Sequence, residues 1–346
     1  MTAPRRIRVL VVDDSAFTRK VLRESLGASE RIEVIGFARD GLDALEKIAA
    51  LDPDVVTLDL VMPNLDGLGV LRALETMPRA PAVVVVSTEA EDGDDGIAAL
   101  VTGAFDLVRK PTALALDRLY ELGDELLRKV LAAGDAVRKP RSISPQSVMD
   151  RTPSVRRATT SLVVIGASTG GPHAISALLR ALPGAFPVPI AIVLHLPVGY
   201  TDAFARRLDG ECALHVVEAE DGLTLRPGLV VIAQAGIHMR LRASDGDLAV
   251  DLDLKPLGSL HRPSVDALFT SAAAQTGRGA LGVVLTGMGS DGLEGSRAIR
   301  AAGGRVLTEA ASSCVVYGMP RCVFEEGLAS AEAPLDGMAE LLLAYL

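Results

Sequence analysis

Short apolar runs recur along this chain, each followed by a stretch whose apolar positions have helical spacing, and the alternation begins twice. In the first 130 residues the runs are IRVLVVDD (7–14), EVIGFA (33–38), DVVTLDL (54–60), AVVVVST (82–88) and FDLVRKP (105–111). SAFTRKVLRESL and GLDALEKIAAL, lying between them, gather their apolar residues on one helical face. Continuous rather than alternating apolar strands are buried on both sides, so five such units predict a doubly wound (βα)5 α/β domain. From residue 160 the pattern resumes with SLVVIG, PIAIVLHLP, LVVIAQ, LAVDLDL and GALGVVLTG, with hairpin-like pieces around RASDGDLAV. A second α/β domain with a mainly parallel sheet is predicted there. Residues 134–159 lose all periodicity and collect Ser, Thr, Pro and Arg, with six basic against two acidic side chains. That composition predicts a flexible, basic linker. The expected boundaries are residues 1–130, a linker over 131–159, and residues 160–346.

Composition narrows the function classes. A chain of 346 residues suits two domains, and 49% hydrophobic with 23% charged residues is ordinary for a soluble protein. There is no Trp, and aromatic residues make up 3%, which argues against a base-stacking surface. The net charge of −9 argues against a nucleic-acid partner. Three cysteines, Cys212, Cys314 and Cys322, form no spaced metal set and fit a reducing compartment. The apolar run after the first arginines is cut short by Asp13 and Asp14, and no run approaches membrane-spanning length. The expectation is a cytoplasmic protein with no membrane insertion.

In an open α/β sheet, ligands gather beyond the C-terminal strand ends. Asp13 and Asp14 close the first strand, Asp59 the third, Ser87 the fourth and Lys110 the fifth. Three carboxylates suit a hard dication such as Mg²⁺, and the set suits phosphoryl transfer to a carboxylate with Lys110 neutralising charge. Asp66 and Asp40 read instead as helix caps.

In the second half, LVVIGASTGGPHAI (162–175) breaks from a strand into a glycine-rich turn around Ser168. GASTG fits the G-x-S-x-G turn that exposes a nucleophilic hydroxyl between strand and helix. A similar turn can cradle pyrophosphate, but a dinucleotide site needs G-x-G-x-x-G and an acid ending the next strand. Here the glycines are Gly166, Gly170 and Gly171, and the next strand ends in His195. GALGVVLTGMGSDG then brings Asp291 to a third strand end, giving a hydroxyl, an imidazole and a carboxylate for one crevice. The order Ser, His, Asp differs from that of α/β-hydrolases. Of the other histidines, His173 reads as a surface or supporting residue, His215 as an ordinary strand position, and His238 and His261 as support. No histidine pair has metal-site spacing.

VLVVDDS, VVTLDLVMPNLDGL, VVVVSTEA and GAFDLVRKP resemble a response-regulator receiver domain. That resemblance implies phosphorylation at Asp59, Mg²⁺ held by Asp13, Asp14 and Asp59, a switching hydroxyl at Ser87, and Lys110. Leu107, at a position often aromatic in receivers, and Val61, at one often acidic, depart from the pattern. VVIGASTGGPHAI, IVLHLPVGYTDAFARRLD, HRPSVDALF, GVVLTGMGSDGLEG and SSCVVYGMPR resemble the catalytic domain of the chemotaxis protein-glutamate methylesterase family. Implied are a Ser168–His195–Asp291 triad, oxyanion donors in the backbone at Thr169 and Met288, and hydrolysis of γ-glutamyl methyl esters on methyl-accepting chemoreceptors. Deamidation of receptor glutamines and a chemotaxis-type histidine kinase as phosphodonor are implied as well. So is a receiver that restrains the esterase until it is phosphorylated. Gln234 and Ala235 stand where the family tends to place a Pro-Gly turn. Two rival readings remain at this point: the same esterase on a client outside motility, and a catalytically silent adaptor.

Overall fold

The computed structural model describes residues 5–87, 93–110, 116–138, 160–244, 246–255 and 261–346. They belong to two compact units that divide between Pro140 and Arg141. The first contains β1 (Ile7–Val12), α1 (Ala16–Leu26), β2 (Ile32–Ala38), α2 (Gly41–Leu51) and β3 (Val55–Leu58). It continues through α3 (Gly67–Glu75), β4 (Ala82–Ser87), α4 (Gly93–Thr102), β5 (Asp106–Arg109) and α5 (Leu116–Arg138). Its five strands are parallel in the order β2-β1-β3-β4-β5, so the loops after β1, β3, β4 and β5 share one edge. Every residue of the central β3 is buried, as the unbroken apolar run requires. Asp40 and Asp66 cap α2 and α3 by accepting the amides of Asp43 and Gly69.

The expected linker needs a correction at its start, because α5 continues to Arg138. Leu126, Val130 and Ala133 are wholly buried at helical spacing, and a Cβ at Gly134 would lie 2.5 Å from Ile7 Cδ1. The helix therefore carries its apolar face past residue 131 and packs on β1. Residues 139–159 of the expected linker lie outside the described residues.

The second unit runs β6 (Leu162–Ala167), α6 (Gly171–Arg180), β7 (Ile190–Leu194), α7 (Thr201–Glu211), β8 (His215–Glu218) and β9 (Leu229–Ile232). A hairpin follows, β10 (His238–Ser244) with β11 (Asp247–Asp253), then α8 (Val265–Thr276), β12 (Ala280–Val284) and α9 (Leu293–Ala301). β13 (Arg305–Glu309), α10 (Met319–Glu325), β14 (Ala331–Ala333) and α11 (Leu335–Ala344) complete it. Seven parallel strands stand in the order β14-β13-β12-β6-β7-β9-β8. The mainly parallel sheet expected from the pattern is present, and the hairpin lies where RASDGDLAV places it. β13 and β14 do not stand out in the sequence, since RVLTE buries Thr308 and Glu309 beside its aliphatics and AEA is too short to show a period.

β6 sits at the centre, between β12 and β7. Val164, Val193 and Val284 of these strands share one apolar cluster with Leu268 and Phe269 of α8. Each fully buried side chain of this kind contributes about 1.5–3 kcal/mol, so the three strand ends rest on a rigid scaffold. Among the described residues, no helix is long and apolar enough to cross a membrane.

Candidate active site

Ser168 is the first residue beyond β6 and is half-buried. Its amide donates to the Thr286 carbonyl at 3.0 Å, and its own carbonyl accepts the Gly171 amide at 2.7 Å. The turn needs glycine at Gly170, whose φ is +78° and where a Cβ would lie 2.6 Å from Val315 Cβ. Gly287 closes up beside the serine for a different reason, since a Cβ there would meet Ser168 Cβ at 2.9 Å.

His195 is the first residue beyond β7, and its amide donates to the Ala167 carbonyl at 3.1 Å. Ser168 and His195 thus leave neighbouring strands at one level of the sheet. Asp291 follows β12 on the glycine-rich loop, and its Oδ2 is 2.9 Å from His195 Nε2. An ionised carboxylate can only accept, so Nε2 carries the proton and Nδ1 the lone pair. That Nδ1 is buried and has no hydrogen-bond partner among the described residues. Among the same residues, no hydrogen bond joins the Ser168 hydroxyl to His195, as is common before a substrate binds. The His261 ring stacks on His195 with centroids 4.3 Å apart and planes 18° apart.

Asp291 is fixed from several sides. Its carboxylate accepts the Ser264 hydroxyl at 3.0 Å, the Val265 amide at 2.8 Å and the Asp266 amide at 3.0 Å, besides His195. Burial works against its charge, but His195 and those amides outweigh it and hold the carboxyl well below the usual carboxylate range. Of the two expected oxyanion donors, Thr169 lies in the Ser168 turn and Met288 on the loop beyond Gly287, where its amide donates to no group among the described residues. At Gln234-Ala235 the chain enters β10 through Gly236, with φ +92° and its amide donating to the Arg262 carbonyl at 3.0 Å. His173 is exposed on α6, His215 pairs with Asp209 at 2.9 Å, and His238 is wholly buried at the start of β10.

The first unit brings its expected residues together as well. One carboxylate oxygen from each of Asp13, Asp14 and Asp59 lies within 4.8 Å of the others. Lys110, just past β5, places its ammonium 2.5 Å from Asp59 Oδ2 and 2.7 Å from Asp13 Oδ2. The Asp13 contact is an ion pair without hydrogen-bond geometry, which leaves buried Oδ2 with no donor. Burial raises the Asp59 pKa against the pull of Lys110, with Asp13 adding to the rise. An under-satisfied oxygen among three close carboxylates fits a hard, oxygen-seeking cation such as Mg²⁺. Ser87 is buried at the end of β4, and its carbonyl accepts the Lys110 amide at 2.6 Å. Leu107 is wholly buried in β5, whereas Val61 is 57% exposed beside the acidic cluster.

Residues 163–342 match the family model of the CheB methylesterase, and residues 9–121 match that of the response regulator receiver domain. The chain belongs to the CheB methylesterase family. A relative from Myxococcus xanthus, named protein-glutamate methylesterase/protein-glutamine glutaminase 5, is 59% identical over 100% of both chains. One of the same name without the numeral, from Thermotoga maritima, is 40% identical over 98% of each. The crystal structure of the Thermotoga maritima CheB methylesterase catalytic domain superposes with a TM-score of 0.53 at 40% identity, covering 54% of this chain and 100% of that one.

Within this family member, Asp266 and Ser264 were not assignable from the sequence, whereas His261, read there as support, stacks on His195. HRPSVDALF is a visible motif, but its contact with Asp291 spans a helix and a strand, α8 and β12. Asp266 Oδ1 accepts the amides of Gly292 and Gly295 at 2.9 and 2.7 Å, tying the Asp291 loop to α9. Burial, with the charges of Asp291 and Glu294, pushes its pKa up to about 6 against the pull of those amides. Between 3.8 and about 6 the folded protein therefore binds a proton that the unfolded chain has released, so this residue's contribution to stability falls as pH rises through that window. Asp266→Asn retains the acceptor oxygen and removes the charge. It is expected to raise the melting temperature at pH 7.5 by about 2–4 °C, which corresponds to ~1 kcal/mol, and by much less at pH 5. Thermal unfolding at the two pH values checks this, and an equal change at both would contradict it.

Proposed function

We propose that this chain is a phosphorylation-regulated, cytoplasmic hydrolase that removes methyl groups from γ-glutamyl methyl esters of methyl-accepting chemoreceptors, and that it also deamidates receptor glutamines. The observation that carries this reading is the 2.9 Å contact of His195 Nε2 with Asp291, beside a strand end that presents Ser168. The names of the relatives support the substrate class.

The chemistry follows from the donor set. His195 Nδ1 takes the proton of Ser168 as Oγ attacks the ester carbonyl. Asp291 keeps the imidazole in that tautomer and stabilises the imidazolium that forms. Backbone amides at Thr169 and Met288 receive the developing oxyanion. His195 returns the proton to the leaving oxygen and methanol departs. Water, activated by the same imidazole, then cleaves the acyl-serine to glutamate. A glutamine substrate follows the same course and releases ammonia.

In the receiver unit, Asp59 would accept a phosphoryl group from a histidine kinase. Asp13, Asp14 and Asp59 would hold Mg²⁺, which when bound neutralises charge on the transferring phosphoryl oxygens. Lys110, beside Asp59, would also neutralise charge on the phosphoryl group, and the Ser87 hydroxyl would sense it. Phosphorylation can raise activity only as far as the phosphoryl group favours an active state over an inactive one.

The test is methanol release from methylated cytoplasmic fragments of a chemoreceptor, measured on the full chain with and without a small-molecule phosphodonor and Mg²⁺. Release that the donor stimulates is the expected result, and no release in either condition would sink the reading. Asp59→Asn is expected to bring the ratio of stimulated to unstimulated rate to about one. Stimulation that survives this substitution would rule out Asp59 as the acceptor.

A further inference from the structure

Among the described residues of the second unit, Glu309 is the wholly buried carboxyl that hydrolysis does not use. It ends β13, at the point where that strand parts from β12. The ladder between them stops at Val284 and Thr308, so the Thr286 amide beyond it needs another acceptor. Glu309 Oε2 supplies it at 2.8 Å, and Oε1 accepts the Ser313 hydroxyl at 2.9 Å.

Thr286 passes this anchorage on in two directions. Its carbonyl accepts the Ser168 amide at 3.0 Å, and its hydroxyl donates to the Thr169 carbonyl at 3.0 Å. The same hydroxyl accepts the Val316 amide at 2.9 Å. The adjacent Gly287 amide donates to the Val316 carbonyl at 3.0 Å, and the Gly287 carbonyl accepts the amides of Gly318 and Met319 at 3.1 and 2.9 Å. A continuous run of hydrogen bonds thus leads from one buried carboxyl to the nucleophile turn and to the loop that carries Met288. Burial pushes the Glu309 pKa up against those hydrogen bonds. A carboxyl kept at a site that opposes its ionisation is poorly explained by stability alone.

We propose that Glu309 is a positioning residue for ester hydrolysis, setting the Ser168 turn and the Met288 amide at the spacing a tetrahedral oxyanion requires. This rests on Ser168 being the nucleophile. Its action is indirect, through Thr286, and depends on acceptor geometry rather than on charge. A glutamine can place Oε1 on the Thr286 amide and its NH₂ on the Ser313 hydroxyl, whereas leucine fills the space without any acceptor.

Steady-state methanol release by the full chain tests this. Glu309→Leu is expected to lower kcat about 100-fold, the size of effect seen when an oxyanion donor is displaced, with KM within about threefold. Glu309→Gln should stay within about threefold of the parent in both parameters. Thr286→Val, which leaves Glu309 in place and removes the hydroxyl link, should lower kcat about tenfold and carries the test if Glu309→Leu does not fold. A folded Glu309→Leu or Thr286→Val protein with parental kcat would overturn the proposal. So would a Glu309→Gln protein as impaired as Glu309→Leu. Activity that persists in Ser168→Ala, measured alongside, would instead overturn the nucleophile assignment, whatever the Glu309 variants do.

Discussion

Ser168→Ala is expected to lower the rate of methanol release by a factor on the order of 10⁵, with the fold intact. The contacts that fix the turn are made by the main chain of residue 168, to the Thr286 carbonyl and the Gly171 amide, and alanine keeps both. What is lost is the one oxygen that leaves β6 beside His195. Water at that position would lack the covalent positioning of a serine, which alone supplies several powers of ten. The check is methanol release together with thermal unfolding. A folded variant that keeps more than about 1% of the parental rate would place the nucleophile elsewhere.

Asp291→Asn should be nearly as damaging to catalysis, with a loss of about 10⁴ in kcat. Asparagine offers one acceptor oxygen where the carboxylate receives hydrogen bonds on both. If that oxygen serves Ser264 and the Asp266 amide, the NH₂ group faces His195 Nε2 and the Val265 amide. His195 would then turn to the tautomer with a proton on Nδ1, and a nitrogen that should accept the serine proton would present one instead. The unsatisfied Val265 amide adds a stability cost of about 1–3 kcal/mol. The expected signature is a collapsed kcat with a nearly unchanged KM. A kcat within tenfold of the parent would remove Asp291 from the mechanism.

Much of this site is visible in the sequence because strand ends are. Ser168 and His195 each follow an apolar run of the second sheet, and Asp13, Asp59 and Lys110 each close a strand of the first; within each parallel sheet such positions share an edge. Asp291 was reachable by the same logic, although it lies on a loop past its strand. The residues that brace it were not. Ser264, the Val265 amide and Asp266 reach Asp291 across 25–27 residues, and neither period nor spacing encodes a fold-back of that length. Glu309 escaped for another reason, since RVLTE looks like a half-polar strand and the burial of its last residue follows only from where β14 and the 313–319 segment pack. The domain end expected at residue 130 falls short because α5 runs on to Arg138, with Gly134 packing on Ile7 by lacking a side chain.

The strand order has a consequence for how the protein comes into being. β6 is the first strand of its sheet to be made and ends up in the middle, with β7 on one side and β12 on the other. The contact between His195 and Asp291 spans 96 residues, so a ribosome that has produced the serine and the histidine still has to add that stretch. At about 5–20 residues per second this is a delay of roughly 5–20 s. Throughout it the growing chain carries a hydroxyl and an imidazole without the carboxylate that would orient them. On the proposed mechanism, esterase competence arrives late in synthesis, once the strand that completes the sheet centre has inserted.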